Sequence, residues 1–270
     1  MLIKEAEFVV FDVETTGLKP EQGDKICEIG AVKVKDSNVI STFDLLINPE
    51  RPIPIGASSI HGITAKDIEN APLFKDAAAS FLEFIGESPL FAYNIGFDLS
   101  FLNPQLSLTG RDSISNPCID ILAICRRLLD NLPRFSLSYV SRFFNIQQET
   151  MHRARQDSLA AASVFLRLVP LLEEKGIVTL DNLYNIFGAD RRLAFKINNA
   201  KISIIRQALA EEARLRIKYY SLHKNELTQR EVLPIKIENS GDKIFLVGKC
   251  LLRDEERNFN VDGILDVVIV

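Results

Sequence analysis

The segment FVVFDVET at residues 8–15 constrains the fold most, because its apolar residues predict a strand that is buried in a core. Two carboxylates, Asp12 and Glu14, lie near the end of that strand. Side chains two residues apart on a strand point to the same face, so the two carboxylates would lie side by side. Their repulsion is relieved either by solvent at an exposed strand end or by a cation. Oxygen ligands of this kind suit Mg²⁺ or Mn²⁺.

The turn TTGL at residues 15–18 follows the acidic pair and favours a site. A tight polar turn exposes backbone groups and hydroxyls beside the carboxylates. Taken alone, an Asp-x-Glu pair is far more often an exposed strand end than a metal site. Further candidate ligands elsewhere in the chain are therefore needed before the pair indicates a metal site.

The elements around and after this turn predict an α/β domain with a mixed sheet. Two alternating segments, 25–35 and 38–49, flank Asp36-Ser37 and predict a β-hairpin that follows the first strand, residues 6–14. Helical and short strand patterns then alternate, which is typical of an α/β fold. These patterns are a helix at 74–86 that ends at Gly86, a strand at 89–94, a helix from about Asp98 that is disturbed by Pro104, a strand and a helix within 116–130, and helices that begin near residues 136 and 155.

The change of pattern along the chain predicts three regions. Residues 1–175 form the α/β domain, residues 176–213 a helical, basic connector, and residues 214–270 a small β domain. Short β-rich runs separated by polar turns in the last region are typical of a small barrel.

The charge is distributed unevenly between these regions. The net charge of −4 divides into −6 over residues 1–175 and +2 over residues 176–270, with +6 within residues 191–218. An acidic front half could bind metal, and the basic stretch could contact phosphates. A solvated helix face explains that basic stretch equally well.

Composition and cysteine spacing narrow the cellular compartment in which we expect the protein. No apolar run of about 18 residues predicts a membrane span, and the N-terminus lacks the basic and apolar regions of a signal peptide. The four cysteines, Cys27, Cys118, Cys125 and Cys250, show neither a disulfide framework nor Cys-x-x-Cys spacing. We therefore expect a cytoplasmic protein without a membrane partner.

Three further candidates lie at predicted strand ends or helix starts. Asp98 follows a short apolar strand in AYNIGFDLSFL, where capping of a helix is the simpler explanation. His152 and Asp157 lie in HRARQDSLAAASVF, where they could be a loop residue and an acid at a helix N-terminus. Together with Asp12 and Glu14 they place four carboxylates and a histidine at strand ends and helix starts of one domain, where ligands gather.

Such a set has the chemistry of an in-line phosphoryl displacement by water. Four carboxylates can hold two divalent ions roughly 3.5–4 Å apart, the spacing used for in-line phosphoryl displacement. A histidine with a pKa of about 6.5 could deprotonate the attacking water.

The segments FDVETTGL, AYNIGFD and HRARQD, in this order, resemble the three motifs of the DEDDh 3′→5′ exonucleases. The resemblance spans about residues 7–170 and implies a ribonuclease-H-like fold with two-metal hydrolysis of the 3′-terminal phosphodiester. It implies that His152 is the general base. The implied metal ligands are Asp12, Glu14, Asp98 and Asp157.

The same resemblance implies contacts with the substrate. Thr15 would approach the terminal nucleotide, and Leu18 would pack against its base. SIHGIT at residues 59–64 resembles a segment of the proofreading-type members. Tyr93 stands where those members often carry histidine, which leaves metal ligation intact but alters a nucleotide contact. The implied substrate-binding residues are Thr15, Thr16, Leu18, His61 and Asn94.

The C-terminal region resembles a WYL domain, a small Sm/SH3-like β-barrel of bacterial regulators and nucleic-acid enzymes. The segments that carry the resemblance are IKYYS, TQREVLPIKI, KIFLVGKC and RNFNVDGI. Ile244-Phe245-Leu246 occupies the place of the Trp-Tyr-Leu of the name. Arg257 remains from the usual basic closing run, while Asn260 and Gly263 stand where basic residues are common. The domain would bind nucleic acid or a regulatory ligand, or serve only for docking or dimerisation.

These features predict a metal-dependent 3′→5′ exonuclease that releases nucleoside monophosphates from single-stranded DNA or RNA 3′ ends. Two Mg²⁺ or Mn²⁺ ions per active site would support the reaction. Residues 191–218 and the WYL-like domain would add nucleic-acid contacts. The alternatives are a proofreading subunit bound to a DNA polymerase and a nucleic-acid-binding regulator whose nuclease half is a scaffold. The β-rich tail disfavours the first, and the five candidate catalytic residues disfavour the second.

Overall fold

The computed structural model describes residues 1–147, 152–189 and 191–270, without the side chains of residues 191, 192, 193 and 195. The chain divides into two compact units. One consists of Lys4–Val169, and the other of Met1–Ile3 together with Pro170–Val270. Each unit has its own sheet and its own apolar core.

Five strands form a mixed sheet in the Lys4–Val169 unit. They are β1 (Phe8–Thr15), β2 (Ile26–Lys35), β3 (Asn38–Leu46), β4 (Leu90–Ala92) and β5 (Cys118–Asp120). Their order in the sheet is β3-β2-β1-β4-β5. β1, β2 and β3 pair antiparallel, whereas β4 pairs parallel with both β1 and β5. The expected mixed sheet is therefore confirmed.

The hairpin between β2 and β3 turns at the two residues that the sequence indicates. Asp36 and Ser37 have φ values of 47° and 63°. Two successive left-handed residues are the signature of a type I′ turn, whose twist matches that of the flanking strands. The predicted hairpin is confirmed.

Seven helices surround this sheet within the described residues. They are α1 (Ile55–His61), α2 (Ala65–Ile68), α3 (Phe74–Ile85), α4 (Ile95–Leu108), α5 (Ile121–Leu128), α6 (Leu137–Phe143) and α7 (Ala154–Glu174). α3 ends before Gly86, as predicted. The expected start of α4 at about Asp98 is wrong, because the helix begins at Ile95 and Asp98 lies in its first turn. Asp98 is therefore not the N-cap residue, and Pro104 stays inside the helix.

Both faces of β1 are covered. On one face the ring of Phe8 lies 4.6 Å from the Phe91 ring and 5.3 Å from the Phe165 ring of α7. On the other face the ring of Phe11 lies 5.9 Å from the Phe81 ring of α3. A strand packed on both sides holds its side chains in fixed positions, so the residues that end β1 point in defined directions. Asp12 and Glu14 share the face of Phe8, which is the face covered by α7.

The first turn of α7 lies against β2 at Gly30. A methyl group added to Gly30 would lie 2.0 Å from the Arg155 backbone nitrogen and 2.2 Å from the Ala154 carbonyl carbon. Ser158 strengthens the contact by donating its hydroxyl to the Gly30 carbonyl at 2.9 Å. Gly30 pairs with Asp12 across the strands. A glycine at this position therefore brings the start of α7 next to the acidic end of β1.

The Pro170–Val270 unit contains two further helices and a second sheet. The helices are α8 (Leu180–Phe187) and α9 (Arg191–Ala210), and the strands are β6 (Leu215–Ser221), β7 (Glu226–Ser240), β8 (Lys243–Cys250), β9 (Glu255–Asn260) and β10 (Ile264–Ile269). All four strand pairs are antiparallel in the order β10-β6-β7-β8-β9. Ile202, Ile205 and Ala208 of α9 belong to the core of this sheet.

This second sheet has two edges among the described residues. β9 and β10 lie at opposite ends of the strand order, and no pairing between them closes the sheet in the described part of the chain. The expected helices and β-rich region are present, whereas the described residues form no closed barrel.

The four cysteines are free and buried, in accordance with their spacing. None of the helices in the described ranges combines the length and the apolar character that a membrane crossing requires.

Gly30→Ala tests the close approach of α7 and β2. The added methyl would overlap backbone atoms that cannot move away without displacing the helix, so we expect a loss of about 2 kcal/mol or more in the free energy of unfolding. Chemical denaturation measures it. Gly56→Ala is the matched control, because a methyl added there meets nothing within 4 Å. Equal stabilities of the two variants would contradict the predicted contact.

Candidate active site

Three carboxylates converge where β1 ends and α7 begins. Carboxylate oxygens of Asp12, Glu14 and Asp157 all lie within 4.8 Å of one another. Asp12 and Glu14 come from one face of β1, and Asp157 comes from the first turn of α7. The structure therefore brings together residues that are about 145 positions apart in the chain.

Asp98 approaches the same end of β1 from α4. Its side chain is 2% exposed, and its Oδ1 accepts a hydrogen bond of 3.2 Å from the Val13 backbone N–H. Its charge acts on Asp12, because the Asp98 carboxylate raises the pKa of Asp12 second only to burial. Asp98 thus lies beside Asp12 with one oxygen bound to the strand.

His152 lies beside Asp157 of this cluster, two residues before α7. It is exposed and has a left-handed backbone with φ of 60°. Its backbone N–H donates to the Asp157 carboxylate, and this bond lowers the pKa of Asp157 in part. No hydrogen bond of the imidazole is found within the described residues, so the ring nitrogens are available to a water or a substrate.

Burial and mutual repulsion of the carboxylates favour the binding of protons or of a cation. Burial, followed by the charges of Asp157 and Glu28, raises the pKa of Glu14 from 4.5 to about 8. Burial also raises the pKa values of Asp12 and Asp157. These shifts arise because desolvated carboxylates repel one another when all are ionised.

The ligand set fits a hard divalent cation. All of its donor atoms are carboxylate oxygens, which suit Mg²⁺ and Mn²⁺ and not softer ions. Arg153, a basic side chain whose charge acts on Glu14, is engaged by Glu28 through contacts of 2.9 and 2.5 Å. The chain itself therefore offers little positive charge to balance Asp12, Glu14 and Asp157.

The turn after β1 is held by Asp24. Its carboxylate accepts from the Lys19 backbone N–H at 3.1 Å and forms an ion pair of 3.1 Å with Arg51. A methyl group added to Gly17 would lie 2.2 Å from Asp24 Oδ2, so glycine is needed where the carboxylate crosses the turn. The turn leaves the Leu18 side chain 78% exposed.

The two threonines of this turn face the protein. The Thr15 hydroxyl donates to the Gly17 carbonyl at 2.5 Å. The Thr16 hydroxyl accepts from the Lys25 backbone N–H at 3.0 Å and contacts Asp24 at 3.4 Å. Both threonines are buried, and Thr16 stabilises the turn through these bonds.

His61 and Asn94 lie at neighbouring element ends. His61 is buried, and its Nδ1 accepts from the Ile63 N–H at 3.0 Å, which puts the proton of the neutral ring on Nε2. Nε2 lies beside the Thr15 backbone outside hydrogen-bond geometry, and burial lowers the pKa of the ring. Asn94 is exposed, has φ of 75° and precedes α4.

Tyr93, which stands where family members often carry histidine, bonds to the protein backbone. Its hydroxyl donates to the Phe135 carbonyl at 2.7 Å. It therefore links the end of β4 to the segment before α6.

One residue that the sequence reasoning missed is Glu28. It pairs with Glu14 across β1 and β2, is fully buried, and binds both Arg153 and the Ala154 N–H. Its signal in the sequence is an acid inside the apolar run ICEIGAV, but the alternating pattern of β2 gives no reason to relate it to a residue 125 positions away.

Comparison with known families identifies both units. A family model described as "Exonuclease" matches residues 9–165. A second model, the WYL domain, matches residues 200–269.

Two relatives illustrate the sequence similarity. A DNA polymerase III PolC-type protein of Caldanaerobacter subterraneus subsp. tengcongensis is 35% identical over 182 residues, which cover 67% of this chain but only 13% of that protein. The DNA polymerase III subunit epsilon of Rickettsia prowazekii is 37% identical over 167 residues, which cover 59% of this chain and 72% of that subunit.

Solved structures share the fold. Escherichia coli exonuclease I in complex with a dA16 oligonucleotide has a TM-score of 0.59 at 17% identity, over 90% of this chain and 55% of that one. The nuclease domain of 3′hExo, a DEDDh family member bound to rAMP, has a TM-score of 0.56 at 18% identity, over 66% of this chain and 98% of that one. The mixed sheet is thus that of the ribonuclease-H-like exonuclease fold, and the chain belongs to the exonuclease family.

Proposed function

We propose that this protein is a metal-dependent 3′→5′ exonuclease that hydrolyses single-stranded nucleic-acid 3′ ends to nucleoside monophosphates. The observation that carries the proposal is the convergence of oxygens from Asp12, Glu14 and Asp157 within 4.8 Å, with Asp98 beside Asp12 and the exposed His152 bonded to Asp157. Membership of the exonuclease family supports the same reaction.

The four carboxylates would hold two Mg²⁺ or Mn²⁺ ions. The buried Asp98 has one oxygen engaged by Val13, which leaves the other for an ion near Asp12. Bound divalent ions supply the charge that stabilises the attacking and leaving oxygens of an in-line displacement. The raised pKa values of the carboxylates support the proposal, because a cation would replace the protons that these groups otherwise retain.

His152 would act as the general base. Its exposed imidazole would accept a proton from the attacking water, which then adds to the phosphorus as the bond to the leaving 3′ oxygen breaks. Asp157, bonded to the His152 backbone N–H, would keep the imidazole beside the acidic cluster.

The residues of the turn and of α1 would hold the terminal nucleotide. The exposed Leu18 would contact the base, and the Thr15 backbone and the Nε2–H of His61 would bind polar atoms of the sugar or phosphate. Asn94 would contact the nucleotide from the start of α4. Thr16 would act through the turn, since its hydroxyl is already bonded to the Lys25 N–H.

DNA and RNA both fit this proposal. Exonuclease I was solved with a DNA oligonucleotide and 3′hExo with an adenosine ribonucleotide, and both share the fold of this chain.

The Pro170–Val270 unit would add a nucleic-acid or regulatory contact. Lys196, Arg206 and Arg214 are exposed and could reach phosphates, whereas Lys201 is buried. A cavity of about 450 Å³ is lined by residues that include Tyr219 and Arg230. The Sm/SH3-like barrel also belongs to this proposal, supported by the long strand β7, whose register shifts between Pro234 and Lys236 and which can thereby curl the sheet.

A proofreading subunit is the second candidate, favoured by the 37% identity to an epsilon subunit. It predicts that mismatched 3′ ends of duplex DNA are removed faster than matched ones.

A substrate panel tests the proposed activity. The full-length chain should release labelled mononucleotides from 3′-labelled single-stranded DNA or RNA in Mg²⁺ or Mn²⁺, and EDTA should abolish the release. Cleavage in EDTA would contradict the role of metal ions. Intact DNA and RNA in every metal would favour a regulator whose nuclease fold is a scaffold.

Two substitutions separate the proposed roles within the site. Asp12→Ala should lose metal binding and activity together, because it removes a carboxylate ligand. His152→Ala should keep most of the metal affinity and lose about 10²- to 10⁴-fold in kcat, the range of general-base catalysis. Calorimetric titration with Mn²⁺ and single-turnover kinetics measure both effects, with Asp112→Ala, an acid outside the cluster, as a control. Parental activity of either variant would refute its assignment.

The raised pKa of Glu14 predicts a pH-dependent stability of the metal-free protein. Between pH 4.5 and about pH 8, Glu14 is ionised in the unfolded chain but stays protonated in the folded one. The free energy of unfolding therefore falls progressively as the pH rises through this range. In EDTA, Glu14→Gln should therefore raise Tm clearly at pH about 8 and much less at pH about 4.5, where the folded Glu14 is protonated and the unfolded one is only half ionised. Thermal melts at the two pH values test this expectation. A stabilisation of equal size at both would exclude ionisation of Glu14 as its cause.

A further inference from the structure

Glu28 is a fully buried carboxylate whose oxygens are all engaged. Its Oε1 accepts from Arg153 Nε at 2.9 Å and from Arg153 Nη2 at 2.5 Å. Its Oε2 accepts from the Ala154 backbone N–H at 2.8 Å and from Arg153 Nε at 3.2 Å. Bidentate pairing with a guanidinium and a bond to a helix N-terminal N–H fix both the distance and the orientation of the partners. We refer to Glu28, Arg153 and the Ala154 N–H as the Glu28 clamp.

The clamp joins the two parts of the acidic cluster. Glu28 pairs directly with Glu14 across β1 and β2. Ala154 is the first residue of α7, and Arg153 precedes it. The contact of α7 with Gly30 lies two residues farther along β2. The clamp therefore sets the start of α7 against the strand that carries the proposed metal ligands.

His152 has few contacts of its own. It is exposed, its backbone is left-handed, and among the described residues it interacts with Asp157 through its backbone N–H and its charge. A non-glycine residue in this conformation is retained only where its surroundings hold it. On its C-terminal side those surroundings are Arg153 and Ala154, which Glu28 binds.

Stability alone is a weak reason for such a pair. Glu28 is fully buried while the Arg153 side chain is 43% exposed, and the loss of water around the buried carboxylate offsets much of the stability that the ion pair contributes. The geometry that the pair specifies is the better explanation here. Glu28 also has no oxygen free for a metal ion, since both accept hydrogen bonds from Arg153 or Ala154.

We propose that the Glu28 clamp positions His152 for its reaction with the attacking water, so that Glu28 and Arg153 are positioning residues of the exonuclease site. The proposal rests on the proposed function, in which His152 is the general base. It predicts that the clamp affects turnover through His152 and not through a separate route.

A double-mutant cycle in the full-length chain tests this coupling. Arg153→Gln should lower kcat by about 10- to 100-fold, the usual effect of losing a residue that orients a catalytic ligand. In the His152→Ala background the same substitution should change kcat by less than about threefold, because the base that it orients is already absent. KM for a single-stranded oligonucleotide should stay within about threefold in both backgrounds.

Arg155→Gln is the matched control. Arg155 also ties the start of α7 to the sheet, through an ion pair of 3.0 Å between its Nε and Asp44 Oδ2. Its side chain is about as exposed as that of Arg153, but its partner Asp44 is 39% exposed, whereas Glu28 is fully buried. This variant should keep the parental kcat. Arg153→Lys retains the charge without the bidentate geometry and should give an intermediate kcat at a nearly parental Tm, so it carries the test if Arg153→Gln does not fold.

Two results would overturn the clamp while leaving the nuclease intact. One is an equal fold-loss from Arg153→Gln with and without His152, and the other is a parental kcat for both Arg153 variants. A parental chain without metal-dependent cleavage, or parental kcat in His152→Ala, would instead overturn the proposed function or the role of His152, and the clamp with it.

Discussion

The close contact between the first turn of α7 and β2 is the constraint on which the rest of the site depends. Gly30 lets the helix backbone approach the strand, and Ser158 bonds to the Gly30 carbonyl. Since Gly30 pairs with Asp12 on β1, any side chain there would push Asp157 away from the strand acids. A convergence of oxygens within 4.8 Å is possible because two elements far apart in the chain meet without an intervening side chain.

The rigidity of β1 maintains the repulsion between the carboxylates that it carries. The aromatic contacts on both faces of β1 hold Asp12 and Glu14 in place, so the carboxylates cannot separate to relieve their repulsion. Burial and neighbouring charges instead raise their pKa values. Arg153 relieves this repulsion only in part, because its guanidinium is bound by Glu28. The cluster is thereby preorganised for an external cation, at the expense of stability in its absence.

Much of this molecule could be predicted from local patterns. Period-two alternation located β2 and β3, and Asp36-Ser37 indicated their turn. The interpretation of Asp98 as a helix N-cap was wrong. α4 starts three residues earlier, and the Asp98 carboxylate accepts a hydrogen bond from the Val13 N–H instead. Strand patterns also could not decide whether the second sheet closes, since closure depends on pairing between β9 and β10, which are distant from each other in the strand order.

The sequence by itself determined the ordered set of motifs, and with it the family and the candidate residues. The family followed from the resemblance of contiguous motifs, which is present before the chain folds, and strand spacing placed Asp12 and Glu14 on one face. Only the tertiary structure decided that Asp12, Glu14 and Asp157 meet, that Thr16 holds the turn, and that Glu28 binds Arg153. These are contacts between residues of different elements, and they depend on packing and strand register that local sequence patterns do not encode.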